Sequence, residues 1–297
     1  MGAIVFALLA AASNAVSVIT RHTASAIDAE GLSAWKVALK VFRTPVWLLG
    51  GLAQIGAFIF QAIALHFGEV SVVQPVLVTE LVIALVLRRT FLRESVARAA
   101  WGGAALACAG LAVFIAAAEP QGGGQTPAAG HWIGAITVCA AVTAVLAALG
   151  QRGSPARRAA LLATAAGVTW ALEATFIKAT TDTLAQFGVA GMFTRWPVYA
   201  LAVGGALGVL LEQDALQSGP LRTAQPMLVI VDPMVSIALS VWLFGEHFVM
   251  DPGALAIAAT AFCAMCAGVV LVSQAASPAI GRSDMELSAV SKGNHRA

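Results

Sequence analysis

Three carboxylates stand inside long apolar runs: Glu80, Glu173 and Asp232. An ionisable side chain at bilayer depth costs at least about 2.5 kcal/mol, so it normally faces a bundle interior or a wet cavity and marks a site. Buried carboxylates can bind a cation, carry a proton or work as an acid–base pair. Glu80 and Asp232 each follow a Gln-Pro dipeptide, Gln74-Pro75 and Gln225-Pro226, and Pro233 follows Asp232 directly. Proline removes a backbone donor and leaves a carbonyl free to face a cavity. Gln225 and Asp232 are seven apart and share a helix face; Gln74 and Glu80 are six apart and align only if Pro75 bends the helix. Asn14, Ser17 and Arg21 make one polar stripe, Gln54 and Gln61 a second, and Thr169, Glu173 and Thr180 a third. For Asn14, Gln54, Gln61 and Gln74, hydrogen bonds between helices are the expected role. Lys178 is close enough in sequence to pair with Glu173. No Gly-x-Gly-Asp signature accompanies the acids, and there is no phosphate-binding Gly-rich loop, so neither an aspartic dyad nor ATP hydrolysis is expected.

The elements that hold these residues follow from composition. The chain has 297 residues, is 59% hydrophobic and 11% charged, and has a mean hydropathy of +0.85. Soluble domains carry roughly 25% charged residues, so the solvent here is lipid. Nine segments are apolar for about 20 residues, the length a spanning helix needs: 3–20, 45–67, 70–90, 97–117, 131–149, 160–178, 196–212, 220–244 and 253–274. Lipid cannot satisfy free backbone groups, so each is a helix. A tenth span over 27–43 is opposed by Lys36, Lys40 and Arg43. Residues 31–42 are expected to lie along the interface, and 179–195 to form a similar short helix. Residues 119–124 read as a flexible loop and 275–297 as a disordered cytoplasmic tail. Cys108, Cys139, Cys263 and Cys266 lie in apolar runs, and Cys263-x-x-Cys266 reads as packing.

Basic residues orient the chain. With nine spans, fifteen of the 17 Lys and Arg residues fall on one side, and the other side holds only Lys178 and Arg195. That puts the C-terminus in the cytoplasm and the N-terminus outside, in the plasma (inner) membrane. Internal duplication is visible as well. Ala64-Leu65-x-x-Gly68 precedes the first Gln-Pro, and Ala215-Leu216-x-x-Gly219 precedes the second at the same distance. Glu94 and Glu246 close the two segments, and Cys108-x-Gly110 matches Cys266-x-Gly268. The copies are 1–118 and 160–274, joined by 119–159 with its single connector helix. An odd number of crossings between copies inverts the second, giving an inverted 4+1+4 repeat of the kind secondary transporters use.

These tokens resemble the drug/metabolite transporter superfamily, in its EamA-like form. The segment from Phe67 to Pro75 looks most like the NIPA magnesium-transporter branch. The resemblance implies an all-α polytopic membrane protein that transports metabolites, amphipathic compounds or ions. The expected site is Gln74, Glu80, Glu173, Gln225 and Asp232 with Pro75, Pro226 and Pro233, and with Asn14 and Gln61 as secondary polar candidates. The expected activity is alternating-access transport of a small solute, with a buried carboxylate as proton carrier. The alternative is magnesium held by Glu80 and Asp232 through oxygen ligands, although the acids match no dedicated cage. A membrane scaffold and an intramembrane hydrolase are weaker alternatives. No enzyme activity, cofactor or nucleic acid is expected; the partners are the bilayer, a solute or ion, and possible second copies of the chain.

Overall fold

The computed structural model describes residues 2–25, 45–93, 95–122, 125–248 and 251–275. They form ten helices: α1 (Gly2–Ser25), α2 (Pro45–Phe67), α3 (Val70–Leu77), α4 (Thr79–Thr90), α5 (Arg98–Ala118), α6 (Ala129–Gly150), α7 (Pro155–Phe193), α8 (Trp196–Ser218), α9 (Leu221–Phe244) and α10 (Pro252–Ala275). Among the described residues nine helical spans are long and apolar enough to cross a membrane, α3 and α4 together supplying one. The chain is thus an all-α polytopic membrane protein. The expected interfacial helix 31–42 and the tail 276–297 lie outside the described residues, as does Glu94.

Large apolar side chains cover the outer surface. Leu52, Ile133, Val203 and Leu210 are each about two-thirds exposed in the isolated chain. In water such a surface would aggregate, whereas lipid tails solvate it. Small residues let the helices approach inside. A Cβ added to Gly110 would meet the backbone of Ala261 and Met265, and one added to Gly268 would meet the backbone of Gly103 and Ala107. The two Cys-x-Gly motifs are therefore reciprocal contacts in the α5–α10 pair, the close packing that glycine permits between membrane helices. Cys108 and Cys263 are exposed, Cys266 is half-buried and Cys139 is buried, all as free thiols.

Three expectations change. The span 70–90 is broken at Val78, whereas α9 stays continuous through Pro226 and Pro233. Pro75 gives no amide hydrogen to Ser71, and the ladder tightens locally, with Val78 N bonding Pro75 O and Leu81 N bonding Val78 O. The segment 179–195 is not a separate helix: α7 runs on to Phe193, interrupted at Gly188. Gly188 has φ 68° and ψ −178°, a region essentially reserved for glycine. The 119–124 loop is tied down at Gln121, which forms an antiparallel bridge with His247.

Candidate functional site

The three carboxylates stand on α4, α7 and α9, with Asp232 between the other two electrostatically. Asp232 interacts through space with both Glu173 and Glu80. Glu80 stands in the first turn of α4, directly after the break. Ending one helix at Leu77 and starting another at Thr79 puts a helix N-terminus inside the span, where the macrodipole favours a negative charge. The side-chain nitrogen of Asn14 donates to Oε2 of Glu80, linking α1 to this turn. On the same α1 face Ser17 donates to Gln54 Oε1 at 3.2 Å.

Asp232 is half-buried in the middle of α9, and Ser236 donates to its Oδ1 at 3.0 Å. The backbone of α9 passes close to α7 here, because Gly167 leaves room for Val231 and for the amide of Asp232. Glu173 is only 7% exposed, and its Oε2 has no hydrogen-bond partner among the described residues. A Cβ on Gly205 of α8 would stand 2.8 Å from Glu173 Oε1, so glycine there gives the carboxylate its space. Lys178 does not serve Glu173. Its ammonium donates to the carbonyls of Leu65 at 3.1 Å and Gly68 at 3.3 Å.

The glutamines divide. Gln74 is 2% exposed, and neither amide atom has a partner among the described residues. Gln225 is half-buried near the start of α9, and seven residues of rise set it about 10 Å from Asp232 along the axis. Gln61 is half-buried on α2. Pro75 and Pro233 flank the carboxylate-bearing turns of their spans, and Pro226 lies next to Gln225 near the entry of α9.

Several polar contacts were outside the sequence reading. Trp170 Nε1 donates to Glu212 Oε2 at 3.1 Å, inside a span that runs on to Ser218 rather than ending at residue 212. Thr143 of α6 lies 3.5 Å from Thr169 of α7, oxygen to oxygen. Ser236 was readable, since it sits four residues after Asp232 on the same face. Glu246 is 1% exposed and accepts from the amides of Val70 and Ser71, so it caps α3 and not its own helix.

Among the described residues no three His, Cys, Asp or Glu side chains form a group suited to a metal ion. Two apolar cavities, about 470 and 320 Å³, flank the α5–α10 pair at Leu106 and Thr260 and at Phe114 and Phe248; none of the candidate site residues lines either.

No family model matches the chain. An uncharacterized protein of Corynebacterium glutamicum is 28% identical over 247 residues, covering 83% of this chain and 86% of the relative. No solved structure matches.

Proposed function

We propose that the chain is a secondary transporter of the drug/metabolite type that moves a small solute or metabolite by alternating access. The observation that carries this reading is that Asp232 lies within electrostatic range of both Glu80 and Glu173, the three standing on different helices of an apolar bundle. Three acids within spans of an apolar bundle are costly, and a scaffold gives no reason to keep them.

The inverted repeat is part of the proposal, and the packing supports it. α1 packs on α2 and on α3–α4, and α7 packs in the same way on α8 and α9. α3 packs on α9, and α5 on α10, each helix meeting its counterpart. The connector α6 packs on α7. Helices α1–α5 and α7–α10 are then the two bodies that rock around the carboxylates, in a plasma membrane with the N-terminus outside. A buried carboxylate that gains and loses a proton can couple the cycle to a proton gradient.

Purified protein in proteoliposomes tests the reading, with a metabolite panel and magnesium as separate arms at two pH values. Uptake or efflux that falls in both Glu80→Gln and Asp232→Asn supports it. Unimpaired transport by both variants at normal expression removes these residues from the mechanism. Magnesium flux lost in Asp232→Asn would put the divalent-cation reading first.

A further inference from the structure

Lys178 and Glu246 hold the two sides of one short turn, between the end of α2 at Phe67 and the start of α3 at Val70. Lys178 Nζ donates to Leu65 O and Gly68 O, at the carboxyl end of α2. Glu246 Oε1 accepts from Val70 N at 2.8 Å and Oε2 from Ser71 N at 3.0 Å, at the amino end of α3. A cation thus meets the negative end of one helix and an anion the positive end of the next. Lys178 is 6% exposed and Glu246 1%. Charge-assisted hydrogen bonds at such burial are strong, and losing one partner leaves a charge unpaired in a dry setting.

The same end is sealed by rings. Lys178 lies over the ring of Phe244, and Trp132 stacks on Phe176 and meets Trp196 and Phe244 edge-on. Beneath it the seam changes character. Both Gln74 amide atoms on α3 and Glu173 Oε2 on α7 are buried without a hydrogen-bond partner among the described residues, as are Ser71 Oγ and Thr180 Oγ1 beside the two charges themselves. α3 and α7 pack against each other. A seam with only a packing role is apolar or fully paired, because each unpaired buried group is costly. These groups gain partners when water or a polar solute enters.

We propose that Lys178 and Glu246 form a latch that closes this end of the bundle, and that the α3–α7 seam beneath it is the path from that end to the carboxylates. This rests on the transport reading above. Opening draws α3 and its turn away from α7 and from the end of α9, so both charges must let go. Lys178 is one of two basic residues that break the charge asymmetry of the loops, and the latch gives it a reason to be there.

The test places a single cysteine at Gln74→Cys in a chain whose Cys108, Cys139, Cys263 and Cys266 are replaced by serine. A membrane-impermeant maleimide is applied from the side of the 67–70 turn, and the labelling rate is read beside the melting temperature, with solute flux read separately in the chain that keeps Gln74. The rate is expected to rise on the order of tenfold in Glu246→Gln and in Lys178→Met, the factor one charge-assisted hydrogen bond of ordinary strength carries. An unchanged rate in both, even with a lowered melting temperature, overturns the latch and leaves a static cap. If Glu246→Gln does not purify as a monodisperse protein, Lys178→Met decides alone. Faster labelling, when the chain that keeps Gln74 moves no solute, keeps the latch and sinks the transport reading; solute flux in that chain with unchanged labelling does the reverse.

Discussion

The side-chain nitrogen of Asn14 donates to the carboxylate of Glu80, so α1 reaches across to the first turn of α4 at the point where the third span breaks. Asn14→Leu removes the donor and leaves a half-buried carboxylate with one partner fewer. A loss of about 1 kcal/mol in stability is expected. Transport should fall in Asn14→Leu and in Glu80→Gln, and the double variant should fall by less than the product of the two. Independent, multiplicative effects in that cycle would show that the contact is not used.

Gly205 gives a sharper handle on Glu173. Gly205→Ala puts a methyl group 2.8 Å from Glu173 Oε1, too close for an unmoved carboxylate, and the obstacle is the far end of a flexible side chain rather than backbone. The fold should tolerate it, with a change in melting temperature near zero, while the carboxylate is displaced. Flux in proteoliposomes is expected to drop at unchanged expression. Full activity would take Glu173 out of the site.

The glycines of the α5–α10 pair behave differently, because there the obstacle is backbone. Gly110→Ala and Gly268→Ala should each cost about 1–3 kcal/mol by overpacking. Thermal melts in detergent check this. Losses smaller than those of alanine substitutions at lipid-facing Gly102, where a Cβ meets nothing, would refute the close crossing.

Arg158 and Asp214 form a 3.1 Å ion pair, with Ser218 also donating to Asp214. Both side chains are about 40% exposed. Exposed pairs contribute about 0–1 kcal/mol. Asp214→Ala should therefore melt within a few degrees of the parent, in contrast to Glu246→Gln. An equal loss from both would contradict the weight given to burial.

Orientation is open to single-cysteine labelling at Gln125, in the 119–128 loop, and at Ser283, in the C-terminal tail. The basic asymmetry predicts labelling from opposite faces. Labelling of both from one face would require a different number of crossings.

The helices were legible because lipid leaves the backbone one solution, and apolar length then locates each span. Glu80, Glu173 and Asp232 were legible for the same reason: a carboxylate in such a run has to be accounted for. The break at Val78 was not, since Pro75 and Pro226 look alike in sequence and only one of the two spans breaks. The work of Lys178 and Glu246 was hidden as well. Their partners lie 110–113 and 175–176 residues away, and proximity in sequence offered Glu173 and the end of α9 instead. Gly167 and Gly205 matter through what passes opposite them, and no single-helix periodicity carries that.

The unequal state of the two proline-bearing spans has a consequence for motion. Across α3–α4 the break has already released the ladder. In α9 the helix stays whole although Pro226 and Pro233 leave the carbonyls of Arg222 and Val229 without their donors, a deficit of about 3 kcal/mol for each interior proline. One span is interrupted at Val78 and the other is continuous across two missing bonds. The same proline signal therefore leaves one span with a ready break and the other with two unmade bonds along its length, and the second carries Asp232.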